Sequence, residues 1–73
     1  MIRVDQDVLA LKRRIISWAS PRVRPRTQAY ASVTLTLQYL DSAAELVGGR
    51  RTNFLRCARD QWRVAVSLAE PMR

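Results

Sequence analysis

A chain of 73 residues with one cysteine and no histidine has few ways to stabilise a fold. It allows one small domain over residues 1–73, which buries only about 60% of the surface that its unfolded chain exposes. Domains of this size usually gain support from disulfides, metal ions or oligomerisation. Cys57 alone forms no internal disulfide and, without histidine, leaves too few ligands for a zinc site. The sequence therefore predicts no metal or cofactor and favours self-association, at least as a dimer.

The apolar residues are distributed in short stretches. No run of 18 apolar residues is present, so the sequence predicts no transmembrane helix and no membrane partner. Asp5 and Asp7 interrupt the N-terminal region, which is not typical of a secretory signal. A reduced, cytoplasmic location is the expectation that fits a single unpaired cysteine.

The charge is strongly positive and comes almost entirely from arginine. The formal net charge is +7, and Lys12 is the only lysine among thirteen basic residues. All thirteen lie in two arms, residues 1–26 and 50–73, which flank an apolar, slightly acidic centre. The planar guanidinium group suits bidentate contacts with phosphates and guanine edges. Nucleic acid is therefore the partner class that the composition favours, against the alternative of a merely solvated basic surface.

The N-terminal arm, residues 1–26, combines a predicted helix with a connector. Apolar residues recur at helical spacing, which predicts an amphipathic helix near 5–19, and Asp5 is the expected N-cap. Pro21 should end this helix, because the residue before a proline is disfavoured in the helical region. The proline- and arginine-rich stretch 21–26 is expected to be an extended, exposed connector.

The next segment, residues 27–37, is ambiguous between strand and helix. Val33, Leu35 and Leu37 alternate with polar residues, which is a strand pattern. A helical stripe is also present, formed by Ala29, Val33, Leu37, Leu40 and Ala44. The β-branched Thr34 and Thr36 favour a short strand over 32–37 slightly.

Two further helices are predicted in the remainder of the chain, near 38–47 and near 52–69. Gly48 and Gly49 should end the first of them, and Thr52 should cap the second. Arg56, Arg59 and Arg63 fall on one polar face of the last helix. The apolar stripes supply the predicted core or dimer interface, which consists of Leu40, Ala44, Val47, Phe54, Ala58 and Trp62.

A family resemblance adds to this mainly α-helical prediction. The segment 41–58, with Ala-Ala-Glu-Leu at 43–46, Gly48, Arg51-Thr52, Phe54 and Ala58, resembles the helix-turn-helix half of TacA-type antitoxins. These are small ribbon-helix-helix proteins of type II toxin–antitoxin pairs. Residues 2–11 resemble, more weakly, the family's strand and the start of its first helix. The resemblance implies a dimeric, ribbon-helix-helix-like part over 32–69, with the ribbon strand at 2–4, at 33–37 or absent.

The resemblance also implies a function and a set of contact residues. It implies a repressor that binds operator DNA and controls its own operon, with a GNAT-type acetyltransferase toxin as a possible partner. Two paired strands would enter the major groove, and the start of the last helix would anchor a phosphate. The DNA-binding residues would then be Thr34 and Thr36 or, for the other strand, Arg3, together with Arg50, Arg51, Thr52 and Asn53.

Catalysis is not expected, since the chain has no histidine, no glycine-rich phosphate loop and no convincing carboxylate cluster. Asp5 and Asp7 are better interpreted as charges at a helix start. Three alternatives to the repressor remain open. One is a helical protein-interaction module, and another is a rearranged antitoxin remnant without specific DNA binding. The third is a basic amphipathic protein that binds membranes or nucleic acid without specificity.

Overall fold

The computed structural model describes residues 5–69, which form three helices. They are α1 (Gln6–Ala19), α2 (Gln28–Ala44) and α3 (Gly48–Leu68). The prediction of a mainly helical chain with about three helices is confirmed. Residues 5–69 contain no strand. None of the helices within this range is both long and apolar enough to cross a membrane.

The first helix follows the sequence prediction closely. The Asp5 carboxylate accepts a hydrogen bond from the Val8 amide at 3.1 Å, which confirms Asp5 as the N-cap. Val8, Ile15 and Ala19 are the buried residues of α1, and their spacing places them on one face. The helix ends at Ala19, two residues before Pro21. Local sequence was sufficient here because the cap, the apolar stripe and the proline all agree.

The connector is more compact than the predicted extended segment. The Ala19 carbonyl accepts hydrogen bonds from the amides of Arg22 and Val23, which turns the chain directly after α1. Arg22 donates to the Trp18 carbonyl at 2.8 Å, and its guanidinium lies 5.1 Å from the centre of the Trp18 ring. Carbonyls at a helix C-terminus favour cations. The guanidinium of Arg22 therefore interacts with the C-terminal end of α1. Val23 packs against the core.

The second helix contradicts the predicted strand. Residues 32–37, predicted as a strand, lie in the middle of the 17-residue helix α2. Of the two patterns in this segment, the helical stripe was correct. The residues of α2 that are buried follow helical spacing, and they are Ala29, Ser32, Val33, Thr36, Leu40 and Ala43. Tertiary burial of this face outweighs the modest β-propensity of the two threonines.

The turn between α2 and α3 also differs from the prediction. The helix predicted over 38–47 ends at Ala44, and α3 begins at Gly48 instead of Thr52. Gly48 adopts a φ of +67°, a conformation that side chains with a Cβ rarely adopt. The Thr52 hydroxyl donates to the Gly48 carbonyl at 3.2 Å from within the helix, so Thr52 is not the cap. Val47 occupies that position without any side-chain hydrogen bond.

Helices α2 and α3 form an antiparallel hairpin joined through small residues. Arg51 donates to the Ala43 carbonyl at 3.1 Å, which fixes one point of the pairing. Ala58 and Ala65, the buried residues of α3, follow Arg51 at intervals of seven. Both residues therefore lie on the side of α3 that packs against the buried face of α2. The absence of large side chains along this line allows the two backbones to approach closely.

Helix α1 packs against the same hairpin and runs parallel to α3. Near its start Asp5 contacts Arg51, and near its end Trp18 contacts Trp62. The two tryptophan rings are 4.9 Å apart and meet edge to face. Lys12 forms an ion pair of 2.6 Å with Asp41 of α2. The core therefore lies where α1 and α3 cover one face of α2.

Most of the predicted core residues belong to this packing. Leu40 and Ala58 are buried, and Ala44 and Trp62 are half-buried against the core. Phe54 is half-buried and lies beside Tyr39, with ring centres 6.1 Å apart. Val47 is 85% exposed and does not belong to this core, and its role at a dimer interface stays a prediction. Its position after the end of α2 removes it from the helical stripe on which the core prediction rested.

Candidate nucleic-acid interface

Arginine dominates the exposed polar surface of the described chain. Within residues 5–69, ion pairs form only between Lys12 and Asp41 and between Arg51 and Asp5. Eight arginines are exposed and belong to neither pair; they are Arg13, Arg14, Arg24, Arg26, Arg50, Arg56, Arg59 and Arg63. The exposed carboxylates that belong to neither pair within this range are Asp7, Glu45 and Asp60. The folded surface therefore keeps the positive excess of the sequence.

Three of these arginines lie together on α3. Arg56, Arg59 and Arg63 are all exposed and lie away from the line of Ala58 and Ala65 that faces α2. We call these three residues the α3 arginine face. Asp60, four residues after Arg56 on the same helix, forms no ion pair with it. The three guanidinium groups are thus available to solvent on a helix that the hairpin holds in place.

The threonines predicted as base-reading residues have other roles in the fold. Thr36 is only 1% exposed, and its hydroxyl donates to the Ser32 carbonyl at 2.8 Å. The Thr34 hydroxyl donates to the Tyr30 carbonyl at 2.9 Å. With the strand absent from this segment and one hydroxyl inside the core, the proposal that these two residues read bases as a ribbon is wrong. Arg3 lies outside the described residues.

The residues predicted to anchor a phosphate separate into two groups. Arg50 lies exposed in the first turn of α3, and Thr52 and Asn53 lie exposed in the second. Because α3 begins at Gly48, its unbonded amides precede Thr52 and Asn53. Arg51 points inward, where it holds both Asp5 and the Ala43 carbonyl. Arg51 therefore joins the three helices to one another, and its side chain is 28% exposed.

The Asp5–Arg51 contact has an electrostatic consequence. The Asp5 carboxylate accepts from Arg51 at 2.5 Å, and the side chain is only 18% exposed. The hydrogen bond from Arg51, followed by that from the Val8 amide, holds the pKa of Asp5 below its ordinary value of 3.8. The carboxylate is thus stabilised in its charged form, and the start of α1 is tied to α3.

This contact predicts a specific pH dependence. Because the pKa of Asp5 is lower in the folded chain, the stabilisation is complete well above pH 3.8 and is lost progressively as the pH falls through 3.8 toward the folded value. We expect Asp5→Asn, which can still cap α1, to be less stable than the wild type at neutral pH. The difference should shrink between about pH 5 and about pH 3. Urea unfolding followed by circular dichroism at several pH values measures it.

The control for this experiment is Asp60→Asn, which removes an exposed carboxylate outside both ion pairs. It should leave the pH dependence of stability close to that of the wild type. A constant difference between Asp5→Asn and the wild type across this range would contradict the role given to Asp5.

Sequence reasoning missed a groove between α1 and α3. Its lining includes Leu11 and Arg14 from α1, and Leu55 and Arg59 from α3. The residue spacing within each helix predicted its apolar stripe. It did not predict which stripes pack against each other. No three metal-ligating side chains come together within residues 5–69, and the groove contains no carboxylate among its described lining residues.

The fold and surface together define a small three-helix protein with an arginine-rich outer helix. No protein family, curated protein or solved structure matches the chain.

Proposed function

We propose that this chain binds nucleic acid through the α3 arginine face. The observation that carries the proposal is the set of eight exposed arginines outside ion pairs, against three such carboxylates, within residues 5–69. A surface of this kind attracts a polyanion and releases its condensed counterions on binding. Arginine also forms two parallel hydrogen bonds to one phosphate group.

The arrangement of α3 suits contact with a phosphate backbone. Arg56 and Arg63 are seven residues apart, which corresponds to about 10 Å along the helix axis. Arg59 lies between them on the same side. Ala58 and Ala65 hold the opposite side of α3 against α2, so the three arginines have a rigid support. Such contacts position a protein on nucleic acid without themselves reading its sequence.

A more specific role rests on the resemblance to TacA-type antitoxins. We propose a homodimeric antitoxin-like repressor that binds the operator of its own operon and has a GNAT-type acetyltransferase toxin as a possible partner. In support, the matching segment 41–58 spans the end of α2, the turn at Gly48 and the first half of α3. Since 33–37 is helical, a ribbon would need the other strand that the sequence allows, at 2–4, which lies outside the described residues.

Removing the α3 arginine face tests the nucleic-acid proposal. The triple variant Arg56→Gln/Arg59→Gln/Arg63→Gln should bind a labelled DNA duplex about a hundredfold more weakly at low salt, at roughly 1 kcal/mol for each phosphate contact. The wild type should weaken steeply between about 50 and about 200 mM salt. The variant should show a slope of log K against log salt that is shallower by about one for each lost contact. Fluorescence anisotropy measures both quantities.

The matched control removes the same charge from elsewhere on the surface. Arg13, Arg24 and Arg26 are exposed and lie on α1 and the connector. Replacing these three with glutamine should weaken binding much less than the α3 triple variant. An equal loss in both variants, or no wild-type binding at low salt, would overturn the assignment to α3.

The repressor proposal needs a comparison of DNA sequences. The same assay is repeated with the DNA upstream of the protein's own gene and with a shuffled duplex of equal length and composition. A clear preference for the upstream DNA, together with a dimer mass by light scattering, would support the operator role. Equal affinity for both duplexes would reject that role and leave general nucleic-acid binding.

A further inference from the structure

A groove between α1 and α3 is lined mainly by apolar side chains that the proposed nucleic-acid contact does not use, and Arg59 of the α3 arginine face also lines it. Its volume is about 560 Å³, within the range of sites that hold small molecules. Thr36 and Leu40 of α2 contribute to its lining, and its walls come from the two parallel helices. The apolar lining comprises Leu11, Ile15, Trp18, Leu40, Leu55, Ala58 and Trp62.

The groove is limited in length. The contact between Trp18 and Trp62 joins its two walls at one end, and the Asp5–Arg51 pair joins the same helices near their starts. Along α1 the lining extends from Leu11 to Trp18, a distance of about 10 Å at the rise of an α-helix. The tryptophan contact closes the groove at this end, and its volume of about 560 Å³ lies within the range of sites that hold small molecules. The geometry therefore favours a small ligand.

The charged groups in the lining define the ligand's polar end. They belong to Arg14 on one wall and Arg59 on the other, both exposed and outside the ion pairs found in residues 5–69. The Thr36 hydroxyl is already bonded to the Ser32 carbonyl. The lining thus combines an apolar interior with two positive charges. Two copies of this chain docked groove to groove would bring these same arginines to face each other, and their positive charges would repel.

We propose that this groove binds an apolar acid, a carboxylate that carries a hydrocarbon chain. The hydrocarbon chain lies against the two tryptophans and the leucines, and the carboxylate contacts Arg14 and Arg59. A hydrogen bond between ionised partners is stronger than one between neutral groups. This pairing is what distinguishes an acid from an alcohol or an amine of the same chain length. The site requires neither nucleic acid nor a second chain.

The two tryptophans provide a direct measurement, because they are the only ones in the chain and both line the groove. Dodecanoate, kept below its critical micelle concentration, is titrated into the full chain while tryptophan fluorescence is recorded. We expect a saturable change at one ligand per chain. Dodecanol and dodecyltrimethylammonium should bind at least about tenfold more weakly, since they lack the charged hydrogen bonds. Equal affinity for all three would overturn the proposal.

Two pairs of variants separate the groove from general attraction to a basic protein. Arg14→Gln/Arg59→Gln should weaken dodecanoate binding about tenfold, and Arg13→Gln/Arg24→Gln, with the same net charge, should not. Leu11→Gln should weaken it about threefold, whereas Ile16→Gln, an exposed position on α1 outside the lining, should not. Circular dichroism checks that each variant is folded. Equal losses within both pairs would overturn the site.

Discussion

Replacing Trp62 with alanine is expected to lower the free energy of unfolding by about 2–3 kcal/mol. Full truncation of a buried tryptophan costs about 3–5 kcal/mol, and Trp62 is half-buried. The loss is large because Trp62 supplies the edge-to-face contact with Trp18 at 4.9 Å. With Asp5–Arg51 it is one of the contacts that hold α1 beside α3. Urea unfolding followed by circular dichroism measures the change without relying on tryptophan fluorescence.

A double-mutant cycle isolates the contact itself. Trp18→Ala, Trp62→Ala and the double variant should give a coupling energy of about 0.5–1.5 kcal/mol, the value typical of aromatic pairs. The control is Val64→Ala, two residues along α3 and exposed, which should change stability by less than about 0.5 kcal/mol. Strictly additive losses at positions 18 and 62 would show that the rings do not interact.

Enlarging Ala65 to leucine is expected to destabilise the hairpin by about 1–3 kcal/mol. Ala65 is 0% exposed and faces α2, so three additional carbon atoms have no space there. For a chain of this size, each kcal/mol corresponds to a decrease of about 4–8 °C in the melting temperature. Thermal unfolding followed by circular dichroism measures the decrease.

The matched control makes the same change on the exposed side of α2. Ala31 is exposed, so Ala31→Leu should leave the melting temperature nearly unchanged. If Ala65→Leu were as stable as Ala31→Leu, the close approach of α2 and α3 at Ala65 would be wrong.

The segment 28–44 shows why local pattern was insufficient. Val33 and Leu37 belong to both patterns, whereas Leu35 belongs only to the strand pattern and is exposed in the helix. In the folded chain Thr34 and Thr36 donate to carbonyls four residues earlier, which satisfies their hydroxyls within a helix. Packing against α3 stabilises the helix, because the small buried residues of α3 allow the apolar face of α2 to lie close to it. The pattern of a few neighbouring residues contains no information about this long-range packing.

In the candidate sites, too, some features followed from the sequence and others only from the tertiary structure. The sequence located the arginines of the α3 arginine face and their common side, because helical spacing alone determines this. It did not predict the pairing of Arg51 with Asp5, because Asp5 is 46 residues away in the chain and close only after folding. The groove between α1 and α3 was missed for the same reason, since its walls come from opposite ends of the sequence.

The sequence by itself determined the absence of internal disulfides, the excess of arginine, and the extent of α1 between Asp5 and Pro21. These properties depend on composition or on neighbours along the chain. Only the tertiary structure decided that the central segment is helical, which arginines are used internally, and that two apolar stripes with an arginine on each side form one groove. Those outcomes depend on which surfaces meet, and burial of one helix against another sets that choice.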